Sequence, residues 1–314
     1  MPSDSFYLAL RLCSIHDWDL ISCDESLTEG QQRVSQLRAE AILGLYKKRG
    51  VDVAEDLVDK GAKGNAVGVA FSLLDISAED EQAICALTSN DNTEMLSLTR
   101  AYVGNSFAQK GWTWVDSIEM KTWPKEQIAT FFSFLPLSKD AWGRAEKLLG
   151  KDAALYWSCA PVYGFVKEPA DLSYCVERLL EVERAADTID LLEGEVREGA
   201  SVSADLIKNV LWSLHVERID SRFSYYIQQL LEYLETVSCD NELFALELHY
   251  SGLIHDKRGS YFYRRMAEDP EAFLLVVSVA YNLGLATEKN IQISNEVRFA
   301  FIYRILRSWK LVPG

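Results

Sequence analysis

The sequence lacks the signals of a secreted or membrane-anchored protein. Its six cysteines form no C-x-x-C pair, and no N-x-[ST] glycosylation sequon occurs. The longest apolar run, residues 273–281, is well short of the roughly 20 residues that span a bilayer. Residues 1–20 lack a basic start followed by an apolar core. These absences favour a cytoplasmic protein in a reducing compartment, without a membrane contact.

Motifs that carry chemistry are also missing. There is no G-x-S-x-G, H-E-x-x-H or G-x-x-x-x-G-K-[ST] pattern. His249 and His255 are six positions apart, which does not place them on one helical face. Cys13, His16 and Cys23 supply three zinc ligands, but no fourth follows at a suitable spacing. We therefore predict a non-enzymatic protein with no cofactor and no metal.

No segment longer than about five residues alternates apolar and polar residues in the way a strand does. Apolar residues recur instead at helical spacing. The organising stretch is residues 169–199, where two apolar series recur at helical spacing and a polar break at Glu183 and Arg184 separates them. The first series is Leu172, Cys175, Val176, Leu179 and Leu180, and the second is Ala185, Ile189, Leu192 and Val196. The pattern predicts a helical hairpin that needs a neighbour on each side.

Further helices are predicted before and after this hairpin. Residues 31–49 carry Val34, Leu37, Ala41 and Leu45 on one face, with Gly50 placed for a left-handed cap. Residues 63–68 are rich in glycine, which we interpret as a tight turn between helices. The fold class is therefore all-α. We predict an irregular α-solenoid of stacked hairpins, similar to tetratricopeptide or HEAT arrays, with sub-arrays at residues 1–165 and 166–314.

Aromatic residues are concentrated between Gly111 and Phe165. One interpretation is a binding face. The other, which we favour, is that such large rings fill the joint between the two sub-arrays, because large aromatic side chains mostly belong to cores.

Charge is unevenly distributed along the chain. The net charge is −15, but residues 257–310 hold nine Lys/Arg against five Asp/Glu and are net positive. Cations and rings alternate around Gly259, and the candidate contact residues are Lys257, Arg258, Tyr261, Tyr263, Arg264 and Arg265. This pattern is typical of a nucleic-acid contact, which neutralises phosphates and stacks on bases. The alternative is a loop leading into a helix whose rings pack inward while its arginines stay in solvent.

Several segments resemble the helical part of large, poorly characterised bacterial multidomain proteins. The similar segments, in the same order, are residues 111–116, 123–127, 134–136, Trp142, residues 156–157, 174–182, 266–273 and 308–314. The resemblance implies that these helices lie beside other domains and act in sensing, including antiviral defence. It supplies no catalytic residues.

We expect from these patterns a helical recognition or scaffolding module that binds a protein partner. The alternative is a helical module that contacts nucleic acid through residues 257–310. An apolar stripe on the predicted last helix, Val297 to Trp309, is followed by Pro313-Gly314. This arrangement predicts either a further element or a docked partner at that end.

Overall fold

The computed structural model describes residues 4–89, 92–162, 169–214, 221–250 and 261–281. In these ranges 79% of the residues are helical, and there is no strand. The predicted all-α class is confirmed. The α-helices are α1 (Asp4–Ser14), α2 (Leu27–Arg49), α3 (Asp52–Asp59), α4 (Gly64–Ser72), α5 (Ala78–Ala86), α6 (Thr93–Ser117), α7 (Lys125–Ser133), α8 (Lys139–Leu149), α9 (Ala154–Cys159), α10 (Pro169–Glu181), α11 (Ala185–Arg197), α12 (Ala204–Trp212), α13 (Ser221–Val237), α14 (Asn241–His249), α15 (Tyr261–Glu268) and α16 (Pro270–Tyr281).

The chain forms two compact units, residues 1–161 and 162–314. The boundary predicted between residues 165 and 166 lies outside the described residues. So does the predicted last helix, Val297 to Trp309.

Helix α4 is central to the first unit, where it packs against α1, α2, α3 and α6. Seven of its nine residues are buried, as expected for a helix that is covered on all sides. Gly64 and Gly68 are one turn apart on the face that meets α6. A Cβ atom at Gly64 would lie 1.8 Å from the carbonyl oxygen of Glu94, and one at Gly68 would lie 2.1 Å from that of Leu98. These glycines therefore bring two helix backbones into contact. The turn predicted at residues 63–68 is wrong for residues 64–68, which belong to α4, and residues 61–63 make the turn.

The buried face of α2 differs in part from the predicted one. Val34 and Leu45 are buried as predicted, but Leu37 is 40% exposed and Arg38 is 3% exposed. The Arg38 guanidinium donates to the carbonyl oxygens of Leu12 and Ile15, both at 3.0 Å, and to Asp17 Oδ1 at 2.7 Å. A buried guanidinium is tolerated when it is hydrogen-bonded in this way. Arg38 therefore fastens the segment after α1 to α2.

Side chains cap the starts of two helices. Ser26 forms a capping box with Glu29 at the start of α2, so this helix begins at Leu27, four residues before the predicted start at residue 31. The Ser138 side chain accepts from Ala141 N at the start of α8. Gly50 and Gly111 have φ +65°. The ψ of Gly50 is −153°, which places it in a region that only glycine readily reaches, beyond the left-handed helical conformation that was expected.

The aromatic centre lies mostly in the interior of the first unit. Its buried rings are Trp114, Phe131, Phe132, Phe134, Trp142, Tyr156 and Trp157. Edge-to-face contacts connect several of them, such as Phe131 with Phe132 at 5.7 Å between ring centroids. The burial of these rings favours the interpretation as core over a binding face. Tyr163 and Phe165 lie outside the described residues.

The second unit begins with the predicted hairpin. Leu172, Cys175, Leu179, Ile189 and Leu192 are all buried, so the hairpin and its apolar faces are confirmed. Each helix from α10 to α14 makes its principal contacts within its unit with the next one or two helices in the sequence, and α15 and α16 continue the series.

One carboxylate of the hairpin lies in its interior. Glu193 of α11 is 4% exposed, although acidic side chains ordinarily lie in solvent. Its carboxylate pairs with Arg197 Nη1 at 3.3 Å, one helical turn away. This charge-assisted contact makes the buried position tolerable for a carboxylate.

Candidate functional site

The predicted basic site is divided between described and undescribed residues. Lys257 and Arg258 lie outside the described residues. Tyr261, Tyr263, Arg264 and Arg265 lie on the short helix α15. The helix places Arg264 in solvent, whereas the other three side chains are partly buried.

Arg265 is held by neighbouring side chains. Its Nη1 donates to the Tyr261 hydroxyl at 2.8 Å, and its Nη2 lies 3.4 Å from Asp269 Oδ2. The guanidinium also lies 5.3 Å from the centroid of the Phe244 ring, a cation–π distance. Arg265 therefore stabilises the packing of α15 on α14.

The start of α15 is anchored to α13 through a carboxylate. Glu235 accepts from Tyr261 N at 3.1 Å and lies 3.8 Å from Arg264 Nη2. The Tyr261 hydroxyl donates to the carbonyl oxygen of Asp240 at 3.2 Å. Phe262, 5% exposed, stacks on Phe244 with 5.1 Å between centroids. The rings therefore pack inward, as in the alternative of a loop leading into a helix. Because Arg264 and Arg265 are paired with Glu235 and Asp269, less of their positive charge is available to bind a polyanion.

The carboxyl group of Glu247 is buried and interacts with the carboxyl group of Glu235. Glu247 of α14 is 3% exposed, and its Oε2 has no hydrogen-bond partner among the described residues. Burial raises the pKa of Glu247 to about 8, and the Glu235 carboxyl adds to the rise, whereas the Phe262 N–H and Arg264 oppose it. Sequence analysis missed this pair. The available signal was that Glu247 follows Leu243 and precedes Tyr250 at helical core spacing.

We expect Glu247→Gln to stabilise the protein at alkaline pH. The unfolded chain loses the Glu247 proton near the ordinary pKa of 4.5, whereas the folded chain retains it up to about 8. Wild-type stability should therefore fall, relative to the variant, as pH rises through this window. The variant should gain about 3 to 4 kcal/mol of unfolding free energy, relative to the wild type, between pH 5 and pH 8. Urea unfolding at a series of pH values measures this gain.

The matched control is Glu268→Gln, at an exposed position on α15. Its unfolding free energy should follow that of the wild type across the same pH range. A Glu247→Gln difference that is equal at pH 5 and pH 8 would show that the buried carboxyl does not titrate in this window.

Two of the histidine and cysteine side chains considered as metal ligands or site residues pack among other side chains. Among the described residues, no group of three His, Cys, Asp or Glu side chains is arranged to hold a metal ion. Cys13 is buried, and burial raises the pKa of its thiol to about 11, so the thiolate that binds metals is disfavoured. His249 packs 5.4 Å from Trp212, and burial lowers its pKa. His255 lies outside the described residues.

Exposed apolar side chains are frequent near the start of the chain. Half of the ten large apolar side chains found exposed among the described residues lie between residues 7 and 37. This N-terminal apolar set consists of Tyr7, Leu8, Trp18, Leu27 and Leu37. Trp18 is the most exposed, at 71%. Helices α1 and α2, which carry four of the five, pack against each other.

Comparisons with known proteins add no assignment to these features. No protein-family model, curated protein or solved structure matches the chain. In the described ranges, none of the helices combines the length and apolar character needed to cross a bilayer.

Proposed function

We propose that this protein is a non-enzymatic helical recognition or scaffolding module that binds a protein partner, as the sensing part of a larger bacterial assembly in the cytoplasm. The N-terminal apolar set carries the proposal. Large exposed apolar groups, tryptophan and tyrosine above all, are enriched where proteins bind one another.

The contacts in the second unit support an array of stacked hairpins. Helices α10 to α16 make their principal contacts there with the next one or two helices along the chain. Repeat arrays have this nearest-neighbour organisation, and their extended surfaces serve recognition. A tetratricopeptide-like or HEAT-like solenoid remains part of the proposal.

The proposal is tested with a double variant of α1, Tyr7→Ser with Leu8→Ser. These side chains are 57% and 55% exposed, so their replacement should leave folding intact. The intact chain and the variant are cross-linked in extracts of the native host, and captured proteins are quantified. We expect at least one protein to be captured about tenfold less by the variant, which corresponds to 1.4 kcal/mol of binding free energy.

The second unit offers a control of equal chemistry, Tyr225→Ser with Leu274→Ser. These side chains are 55% and 57% exposed. The control should capture that protein as well as the wild type does. Equal capture by all three chains would overturn the proposal. The proposal would also be overturned if the chain bound DNA or RNA with an affinity that falls steeply with salt and is lost in Arg264→Ala. That result would favour the nucleic-acid alternative.

A further inference from the structure

The first turn of α15 is held by two carboxyl groups. Glu235 of α13 accepts from Tyr261 N at 3.1 Å, and Glu247 of α14 accepts from the N–H of Phe262, the next residue. These N–H groups belong to the start of a helix, so they have no acceptor within it. Three helices therefore meet at this pair of carboxyl groups.

The two carboxyl groups are also hydrogen-bonded to each other. Ionised carboxylates are acceptors only, so a hydrogen bond between two of them needs a proton on one. Glu247 is 3% exposed, and its Oε2 has no hydrogen-bond partner among the described residues. Two ionised groups here would hold like charges together with little water around them, which is costly. One proton shared by the pair avoids this cost.

The charges on the surrounding helices do not replace this proton. Arg264 Nη2 of α15 lies 3.8 Å from Glu235, but the Arg264 side chain is 58% exposed, so water weakens its attraction for the pair. Two other cations on helices packed against α14 have carboxylate partners, namely Arg265 with Asp269 and Lys208 with Asp240. The other titratable groups of α14 both contact Trp212, and they are Glu242 and His249.

We propose that Glu235 and Glu247 form a proton-operated latch that closes α15 against α13 and α14. With the shared proton in place, the pair accepts the first N–H groups of α15, and the helix is closed. Loss of the proton leaves two carboxylates facing each other in the closed state. Opening of α15 separates them and returns Glu247 to water. The latch lies in the second unit and requires no partner, so it is independent of the proposed function.

Opening of α15 exposes an apolar cluster that the closed helix covers. Phe262 is 5% exposed and stacks on Phe244 of α14 with 5.1 Å between ring centroids. The other buried members of the cluster are Leu248, Ala272 and Val276. Burial of this surface favours the closed state, so the open state is the minor one. The latch makes its population depend on pH.

The direction of the pH effect follows from the two states of Glu247. When α15 is open, the carboxyl loses its proton near the ordinary pKa of 4.5, whereas in the closed state the pKa is about 8. Opening therefore releases one proton between these two values. The open fraction rises with pH in this window and levels off above it.

Hydrogen exchange of the full chain, measured by mass spectrometry between pH 5.5 and pH 7.5, tests the latch. After correction for the intrinsic pH dependence of amide exchange, the opening constant of α15 should rise about tenfold for each pH unit, because one proton is released. It should also exceed the opening constant of α11 at least about tenfold, because the latch opens without unfolding the whole unit.

Two variants of equal chemistry separate the latch from ordinary changes in charge. The amide of Glu247→Gln does not titrate, so the opening constant of α15 should not change with pH in this variant. In Glu268→Gln, at an exposed position of the same helix, it should rise as in the wild type. A wild-type opening constant of α15 that is independent of pH, or equal to that of α11, would overturn the proposal. An unchanged pH dependence in Glu247→Gln would overturn it as well.

Discussion

Gly68→Ala is expected to lower the free energy of unfolding by about 3 kcal/mol. The new Cβ would lie 2.1 Å from the carbonyl oxygen of Leu98. This atom belongs to the backbone of α6, so a side-chain rotation cannot relieve the overlap. Helices α4 and α6 must move apart, which disturbs the packing at the centre of the first unit. Urea denaturation of the purified variant measures the loss.

The same substitution at Gly44 gives a control with the opposite sign. Gly44 lies in α2, and a Cβ there would meet no atom within 4 Å. Alanine should stabilise this helix by about 0.5–1 kcal/mol, because it reduces the entropy lost on folding. Equal effects at Gly44 and Gly68 would contradict the backbone contact between α4 and α6.

Leu179→Asp is expected to be the most damaging change in the second unit, with a loss of about 4 kcal/mol or more. Leu179 has no exposed surface. It lies on α10, which packs against α11 and α12. Aspartate would remove apolar contacts and place a carboxylate in this interior. Chemical denaturation monitored by circular dichroism measures the loss.

Glu177→Ala tests the phase of the same helix. Glu177 is exposed, two positions before Leu179. Its replacement should change the unfolding free energy by less than about 0.5 kcal/mol. Similar losses at Glu177 and Leu179 would mean that α10 is rotated from the orientation described.

Local signals predicted much of the helical structure. The residues that set a helical period lie within a few positions of each other in the sequence, so the hairpin formed by α10 and α11 could be predicted from the chain alone. The end of α2 at Arg49 was predicted too, whereas its start was placed four residues too late. The burial of most tryptophans and phenylalanines between residues 112 and 157 was also predicted, because rings of that size are costly to expose.

Polar residues at core positions could not be predicted in the same way. Arg38 and Glu247 occupy buried faces at core spacing, but an ionisable side chain is ordinarily assigned to solvent whatever its spacing. The burial of Arg38 depends on carbonyl groups presented by the end of α1, which is distant in sequence. In the sequence alone, Gly64 and Gly68 look like a turn signal. Their role as the contact with the backbone of α6 depends on residues about 30 positions further along the chain. The pairing of Glu235 with Glu247 likewise depends on how α13 and α14 pack.

The principal contacts of α10 to α14 have a kinetic consequence. Each contact with the next helix or the one after it closes a short loop, so the entropy lost in forming it is small. Structures built from such local contacts have low contact order and fold rapidly. The second unit can therefore assemble one helix at a time from a nucleus anywhere in the series, and helices with fewer neighbours should exchange their amide hydrogens first.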